Sequence, residues 1–333
     1  MEIKSLKNKL FSQQDLTSDE SMYLFELIMN GKISEIDITA ILTSLKIKGE
    51  TKDEILGATK IMRSKSMKIS SSVNTVDTCG TGGDMSDTLN ISTAASLVAA
   101  SCGIKIAKHG NKSVSSKSGS ADMLESIGYK FSDDPKIIED QLNRNNFCFM
   151  YAQYHHSAMK YVINVRKTLG TRTIFNLLGP LTNPANATNQ LLGVYDKKWL
   201  NTHCEVLKEL GSKNVLVVHG LDGLDEISLS ANTHICELKD NKIQNYIFDP
   251  REIGYDYISL DEIKGGNPKY NADSFNKMIN GDFPQFQSIV EINAGAALYV
   301  AGKASNIKEG SIIAAKSIVE GKSKDFISKI ISE

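Results

Sequence analysis

The chain has 333 residues, room for one large domain or two unequal ones, and its 41% hydrophobic and 23% charged residues are the composition of a folded protein, not a disordered or fibrous one. Lys and Arg number 38 against 39 acidic residues, a net charge of -1, which excludes a global pull toward nucleic acid or an anionic membrane. Any anion binding has to be local. Cys79, Cys102, Cys148, Cys204 and Cys236 are odd in number and never form a Cys-x-x-Cys pair, so they read as reduced thiols, with Cys79 and Cys102 as buried small residues.

The opening Met1-Glu2-Ile3-Lys4 lacks the layout of a signal peptide, and no apolar run nears the roughly 20 residues of a membrane span, so a cytoplasmic protein is expected. Three short helices are expected before residue 70. Thr17-x-x-Glu20 and Thr51-x-x-Glu54 have capping-box spacing, and between them Ile36, Ile38, Ile41, Leu42 and Leu45 make one apolar face. From Val73 the texture alternates strand, turn and helix, which implies a parallel sheet. A strand at 73–76 precedes the glycine cluster Gly80, Gly82 and Gly83. A helix starts near Ser92 or Thr93, runs through Ala100 and stops at Gly103. A strand at 104–107, a polar loop at 109–120, a helix at 121–127 stopped by Gly128 and a strand at 147–152 follow. Residues 158–178 read as helix that returns to the N-terminal helices before the sheet resumes at 191–195, so the small helical domain is discontinuous. Trp199 marks a helix start, 215–218 a fully buried strand, and Asp240-Asn241 a hairpin, with helices near 271–279, 291–302 and 308–320.

The first strand runs into Asp77-Thr78-Cys79-Gly80-Thr81-Gly82-Gly83-Asp84, whose glycines let backbone amides approach an anion. Such a cluster is equally a tight turn without a ligand. It is not a Walker loop, since no Gly-Lys-Ser/Thr ends it, and its spacing is not that of Gly-x-Gly-x-x-Gly. Thr88-Leu89-Asn90-Ile91-Ser92-Thr93 then sets polar side chains at a helix N-terminus, where free amides and the dipole favour phosphate. Capping alone would need only one of Asn90, Ser92 and Thr93.

The second loop, Lys108-His109-Gly110-Asn111-Lys112-Ser113-Val114-Ser115-Ser116-Lys117-Ser118-Gly119-Ser120, is either a solvated surface loop or the other wall of a crevice at the C-terminal ends of the strands. After 215–218, His219-Gly220-Leu221-Asp222-Gly223-Leu224 leads to adjacent acids, Asp225-Glu226. Paired acids are common on surfaces, but beside two phosphate loops they suit Mg²⁺ whose other oxygens come from phosphate. His155, His156, His203, His219 and His234 show no metal-ligand spacing.

These segments in this order, together with Arg172-Thr173-Ile174-Phe175-Asn176-Leu177-Leu178-Gly179-Pro180-Leu181-Thr182-Asn183-Pro184, resemble the anthranilate phosphoribosyltransferases over roughly residues 15–330. The resemblance implies an α/β fold with a small helical domain (1–70 plus about 158–188) and a larger α/β domain (about 71–157 plus 189–333) with a mostly parallel central sheet, of the nucleoside phosphorylase/phosphoribosyltransferase-like, class III-type glycosyltransferase fold. It implies a homodimer through the helical parts, two Mg²⁺ ions per monomer, and transfer of the phosphoribosyl group from phosphoribosyl pyrophosphate to anthranilate in tryptophan biosynthesis. By the same resemblance, Gly80, Gly83, Asp84, Thr88, Asn90, Ile91, Ser92, Thr93, Lys108, His109, Gly110, Asn111, Lys112, Ser113, Val114, Ser115, Ser116 and Ser120 surround phosphoribosyl pyrophosphate. Ser92 and Glu226 hold one metal ion and Asp225 and Glu226 the other; Gly80, Asn111 and Arg166 receive anthranilate. Where the family commonly has Phe-Ala-Pro and His-Pro-Ala-Met, this chain has Tyr151-Ala152-Gln153 and His156-Ser157-Ala158-Met159.

An arylamine is neutral at pH 7 and attacks without prior deprotonation, so no indispensable general base is expected; His109 is the one candidate, and lining the pocket is the role favoured for it. Two alternatives remain at this point. A pyrimidine nucleoside phosphorylase would lack the pyrophosphate-metal site, and a noncatalytic nucleic-acid-binding relative would show a basic face and a degraded glycine loop.

Overall fold

The computed structural model describes residues 2–71, 74–112 and 117–332. Val73, expected to open the first strand, and Ser113, Val114, Ser115 and Ser116 of the second loop lie outside the described residues. Four helices open the chain, not three: α1 (Ile3–Phe11), α2 (Ser18–Met29), α3 (Glu35–Lys48) and α4 (Lys52–Lys65). Helix α1 has Glu2 at its N-cap with no side-chain cap, so no capping spacing announces it. Both expected capping boxes form, at α2 and α4. Ile38, Ile41, Leu42 and Leu45 of α3 are buried, but Ile36 is 83% exposed and falls off that face.

The capping residue of α4 also locks the bundle. Glu54, fully buried, accepts from Thr51 N at 2.9 Å and Leu16 N at 2.9 Å, and pairs with Lys48 at 3.0 Å. One carboxylate thus joins three segments.

The rest alternates as expected: β1 (Val76–Asp77), α5 (Ile91–Ser101), β2 (Ile106–Gly110), α6 (Ser120–Ser126), α7 (Pro135–Asn145), β3 (Phe147–Tyr151) and α8 (Ala152–His155). The segment expected to be helical at 158–178 is so in three pieces, a 3-10 turn (Ser157–Tyr161), α9 (Ile163–Leu169) and α10 (Ile174–Leu178). Gly170, at φ +58°, ends α9 in a left-handed cap. Gln153 sits in α8 and Ser157 opens the 3-10 turn, early helical positions that accept proline and other residues alike. Then come β4 (Asn189–Gly193), α11 (Trp199–Glu209), β5 (Asn214–Gly220), β6 (Thr233–Lys239), β7 (Lys242–Phe248), α12 (Pro268–Ile279), α13 (Pro284–Val300), α14 (Ile307–Val319) and α15 (Lys322–Ser332). Asp240 and Asn241 both take positive φ, the requirement of a two-residue hairpin.

The sheet runs β3-β2-β1-β4-β5-β6-β7, with β1 to β5 parallel and the β6–β7 hairpin antiparallel at one edge. Alternation along β5 divides two cores: Leu216 and Val218 face a cluster built on α5, α13 and α14, while Val215 and Val217 face one that runs through α11 into the N-terminal helices and residues 162–181. Among the described residues, no helix is long and apolar enough to cross a membrane. Cys79 and Cys102 are only half-buried, contrary to expectation, because each sits at the end of an element and not inside it.

Replacing Glu54 by Ala should lower the unfolding free energy by about 3 kcal/mol, because it leaves two backbone amides without their acceptor and takes from Lys48 the buried one of its two acids, Asp15 remaining. Urea denaturation reads the change; a loss under about 1 kcal/mol would mean that the pair behaves as a surface ion pair.

Candidate active site

The five parallel strands end toward one edge, and the loops after β1, β2 and β5 carry most of the expected residues. The glycine loop after β1 is tethered at successive positions. Thr81 N–H donates to Gly193 O at 2.8 Å, and Thr81 Oγ1 accepts from Tyr195 N at 3.0 Å. Gly82 N–H donates to Asp225 Oδ2 at 2.9 Å, 143 residues away. Gly82 and Gly83 have φ of +63° and +77°, left-handed values natural to glycine. Close approach matters again at Gly193, where an added Cβ would lie 1.5 Å from the Asp225 carbonyl oxygen. Bare backbone on β4 is what lets the acidic turn seat against the glycine loop.

The acidic turn reaches the helix as well. Glu226 Oε1 accepts Ser92 N–H at 3.1 Å, a carboxylate in the first turn of α5. Asn90 is the N-cap of α5 but does not cap it; its side chain instead donates to Ser118 O at 3.1 Å and accepts from Asn271 Nδ2 at 2.8 Å. Ile91 and Thr93 are buried in the first turn, and Thr93 Oγ1 finds no partner among the described residues. Thr88 bridges to Lys264, fastening the loop between Asp84 and α5 to the C-terminal half.

Lys108, 1% exposed, points its ammonium at Thr78 O (3.0 Å), Thr78 Oγ1 (3.1 Å) and Ser92 Oγ (3.5 Å). A buried cation thus stands beneath the junction of the glycine loop and α5. Gly110 lets the chain pass Phe149, whose ring would be 2.8 Å from an added Cβ. Asn111 turns the chain into α6 through Ala121 N and its own Oδ1, which accepts from Lys112 N; Lys112 pairs with Glu125, and Ser120 begins α6.

Burial, then the neighbouring Asp84 charge, pushes the Asp225 carboxyl up to about 7, and burial with Asp225 beside it pushes Glu226 well above the usual carboxylate range. Asp84 holds its own turn through Ser86 N at 3.2 Å. Three acids therefore converge with an excess of negative charge, the condition a hard cation relieves. Among the described residues no three His, Cys, Asp or Glu side chains form a ready metal cage, so a cation here would draw further oxygens from its ligand or water.

Arg166 stands apart from this hydrogen-bonded set. It lies on α9 with its guanidinium 5.6 Å from the Phe175 ring centroid, and burial lowers its pKa. No hydrogen bond joins it to Gly80 or Asn111 among the described residues. His109 is buried, with Nδ1 3.1 Å from Gly179 O and Nε2 3.2 Å from His156 Nε2. A carbonyl only accepts, so Nδ1 carries the proton of His109, and its Nε2 lone pair receives the proton of His156 Nε2. The lone pair a base would use is already engaged.

Some residues of the site escaped the sequence. Asn183 donates to Asp77 Oδ2 (2.7 Å) and Ala107 O (2.9 Å), holding β1 against β2; its place in Leu181-Thr182-Asn183-Pro184 was the available signal. His156 stood in the segment matched to His-Pro-Ala-Met, but its partner His109 was not legible there; Asn271 gave no signal, since it acts only through Asn90, distant in the chain.

Burial first, then His156 and His155, holds His109 well below the ordinary 6.5, and burial lowers His156 to about 4. A depressed pKa in a base keeps the neutral form, so both rings should show no titration by imidazole NMR between about pH 5.5 and 8. An inflection near 6.5 in either ring would remove the neutral pair.

Residues 4–66 match the helical bundle domain of a glycosyl transferase family, and residues 72–324 match its a/b domain. An anthranilate phosphoribosyltransferase of Methanobrevibacter smithii is 44% identical over 329 residues, covering 99% of this chain and 98% of the relative. One from Clostridium beijerinckii is 46% identical over 312 residues, 93% of this chain and 92% of the relative. The crystal structure of the Thermus thermophilus enzyme of the same name superposes with a TM-score of 0.92 at 34% identity, covering 98% of each chain. The Saccharomyces cerevisiae enzyme, in complex with PRPP and Mg, gives 0.90 at 25% identity over 99% of this chain and 97% of that one. With full-length identity of this order and the same two-part fold, the protein belongs to the anthranilate phosphoribosyltransferase family.

Proposed function

We propose that this chain transfers the phosphoribosyl group of 5-phosphoribosyl 1-pyrophosphate to the amine of anthranilate, giving N-(5-phosphoribosyl)anthranilate and pyrophosphate, the second step of tryptophan biosynthesis from chorismate. The observation that carries this reading is the 2.9 Å contact of Gly82 N–H with Asp225 Oδ2, which joins an anion-binding turn to a pair of acids in one crevice. Neither alternative reading draws support from that junction.

Departure of pyrophosphate builds negative charge on the leaving group and positive charge on the sugar. The chain's donors for the former are the amides of the Gly80 to Asp84 loop, the first turn of α5 and the buried Lys108 ammonium. Mg²⁺, when bound, supplies the remaining charge neutralisation at the diphosphate. Asp225 and Glu226, crowded with Asp84, fit that ion; we assign one ion to Ser92 and Glu226, which already touch through Ser92 N–H, and a second to Asp225 and Glu226. The arylamine needs placement more than activation. Arg166, partly desolvated against Phe175, is the cation for its carboxylate, with Gly80 and Asn111 beside it.

We further propose that residues 1–70 and about 158–188 act as one helical unit, supported by their shared apolar cluster. Exposed Phe11, Ile36, Ile47 and Ile163 on these helices support a homodimer through them. Five free thiols favour a reducing, cytoplasmic setting.

Product formation is read as loss of anthranilate fluorescence in the presence of phosphoribosyl pyrophosphate and Mg²⁺. Arg166→Ala should raise KM for anthranilate about 10-fold or more while moving that for the donor little. Equal effects on both substrates would count against Arg166 as the carboxylate anchor. Asp225→Asn with Glu226→Gln should abolish Mg²⁺-dependent turnover, and an unchanged Mg²⁺ response would remove both as ligands.

A further inference from the structure

We infer that Arg172 is a positioning residue for the glycine loop, and that Lys46 of the helical bundle holds Arg172 in place, so that a strut Lys46–Arg172–Gly83 links α3 to the donor site. The inference rests on the reading that this loop binds the diphosphate of phosphoribosyl pyrophosphate.

Arg172 lies in the turn between α9 and α10. Its Nη2 donates to Gly83 O, and its guanidinium lies 4.1 Å from the ring centroid of Tyr195. Tyr195 N–H, in turn, donates to Thr81 Oγ1 at 3.0 Å. The cation and its aromatic shelf therefore hold the loop on both sides of Gly82, whose own amide goes to Asp225. From the other side, Lys46 Nζ donates to Arg172 O at 3.0 Å and to Thr171 Oγ1. Both ends of Arg172 are occupied, one by the bundle and one by the loop.

The consequence follows from peptide geometry. In a planar trans peptide the carbonyl of Gly83 and the N–H of Asp84 point in opposite directions, so fixing the first aims the second away from Arg172. Gly82 and Gly83 have left-handed φ and little intrinsic preference for one shape, which leaves the choice of shape to their tethers. An amide aimed by a tether is a preorganised donor for a phosphate oxygen. The charge of Arg172 meets a carbonyl and an aromatic face here, and a half-buried guanidinium so placed can be removed without opening the core.

The test is a kinetic cycle on the full-length protein. Arg172→Ala should raise KM for phosphoribosyl pyrophosphate about 10-fold, the loss expected for one charge-assisted hydrogen bond, with kcat and anthranilate KM each within about 3-fold. Arg172→Lys, which keeps the charge and loses the fork, should recover part of the loss. Lys46→Met, remote from both substrates, should raise the donor KM in the same direction by about 3-fold, and the double variant should be no worse than Arg172→Ala alone. Unchanged donor KM in a folded Arg172→Ala protein, or simple additivity of the two substitutions, would overturn the strut. So would a fall in thermal stability with equal shifts for both substrates, the mark of a merely structural contact. Calorimetric titration with inorganic pyrophosphate and Mg²⁺ separates the two readings: if the wild type makes no product yet binds pyrophosphate, and Arg172→Ala weakens that binding about 10-fold, the reaction assignment falls and the strut stands.

Discussion

The site depends on one backbone amide meeting one carboxylate. Gly82 N–H reaches Asp225 Oδ2 at 2.9 Å because Gly193 leaves no side chain between β4 and the acidic turn. An amide that would bind an anion is thereby matched to an acid that would bind a cation, and each occupies the other. A ligand carrying both a diphosphate and a divalent ion can take the place of both partners at once, without leaving either buried polar group unsatisfied. The crevice is therefore complementary to a ligand of that kind.

Charge is distributed to the same end. Asp84, Asp225 and Glu226 crowd together, and Asp225 and Glu226 hold protons more tightly than free carboxyls, while Lys108 sits buried beneath the α5 terminus. The two buried imidazoles are instead neutral: His109 and His156 share one hydrogen bond, with burial depressing both. Arg166 is half-buried against Phe175, and a low-dielectric setting of that kind strengthens any ion pair it makes.

Much of the fold was legible because its signals are local. Capping boxes at Thr17 and Thr51, the positive-φ pair Asp240-Asn241 and the apolar run of β5 each act within a few residues. Helix α1 was missed since no capping side chain marks it, and the division of 158–178 at Gly170 was not foreseen because the apolar pattern runs past it. The burial of Cys79 and Cys102 was misjudged for a related reason: composition favours burial of cysteine, but position at an element end decides it.

The sequence by itself determined the chemistry on offer: the glycine loop, the polar start of α5, the Lys108 loop and the adjacent acids are each a short contiguous segment, so their residue types and order were enough to suggest anion and metal binding. Only the tertiary structure decided which groups meet. Gly82 and Asp225 are 143 residues apart, Asn90 and Asn271 are 181 apart, and His109 finds His156 across 47. Such contacts carry no periodicity along the chain, because strand order in the sheet and the close approach allowed at Gly193 fix them, and those are properties of packing.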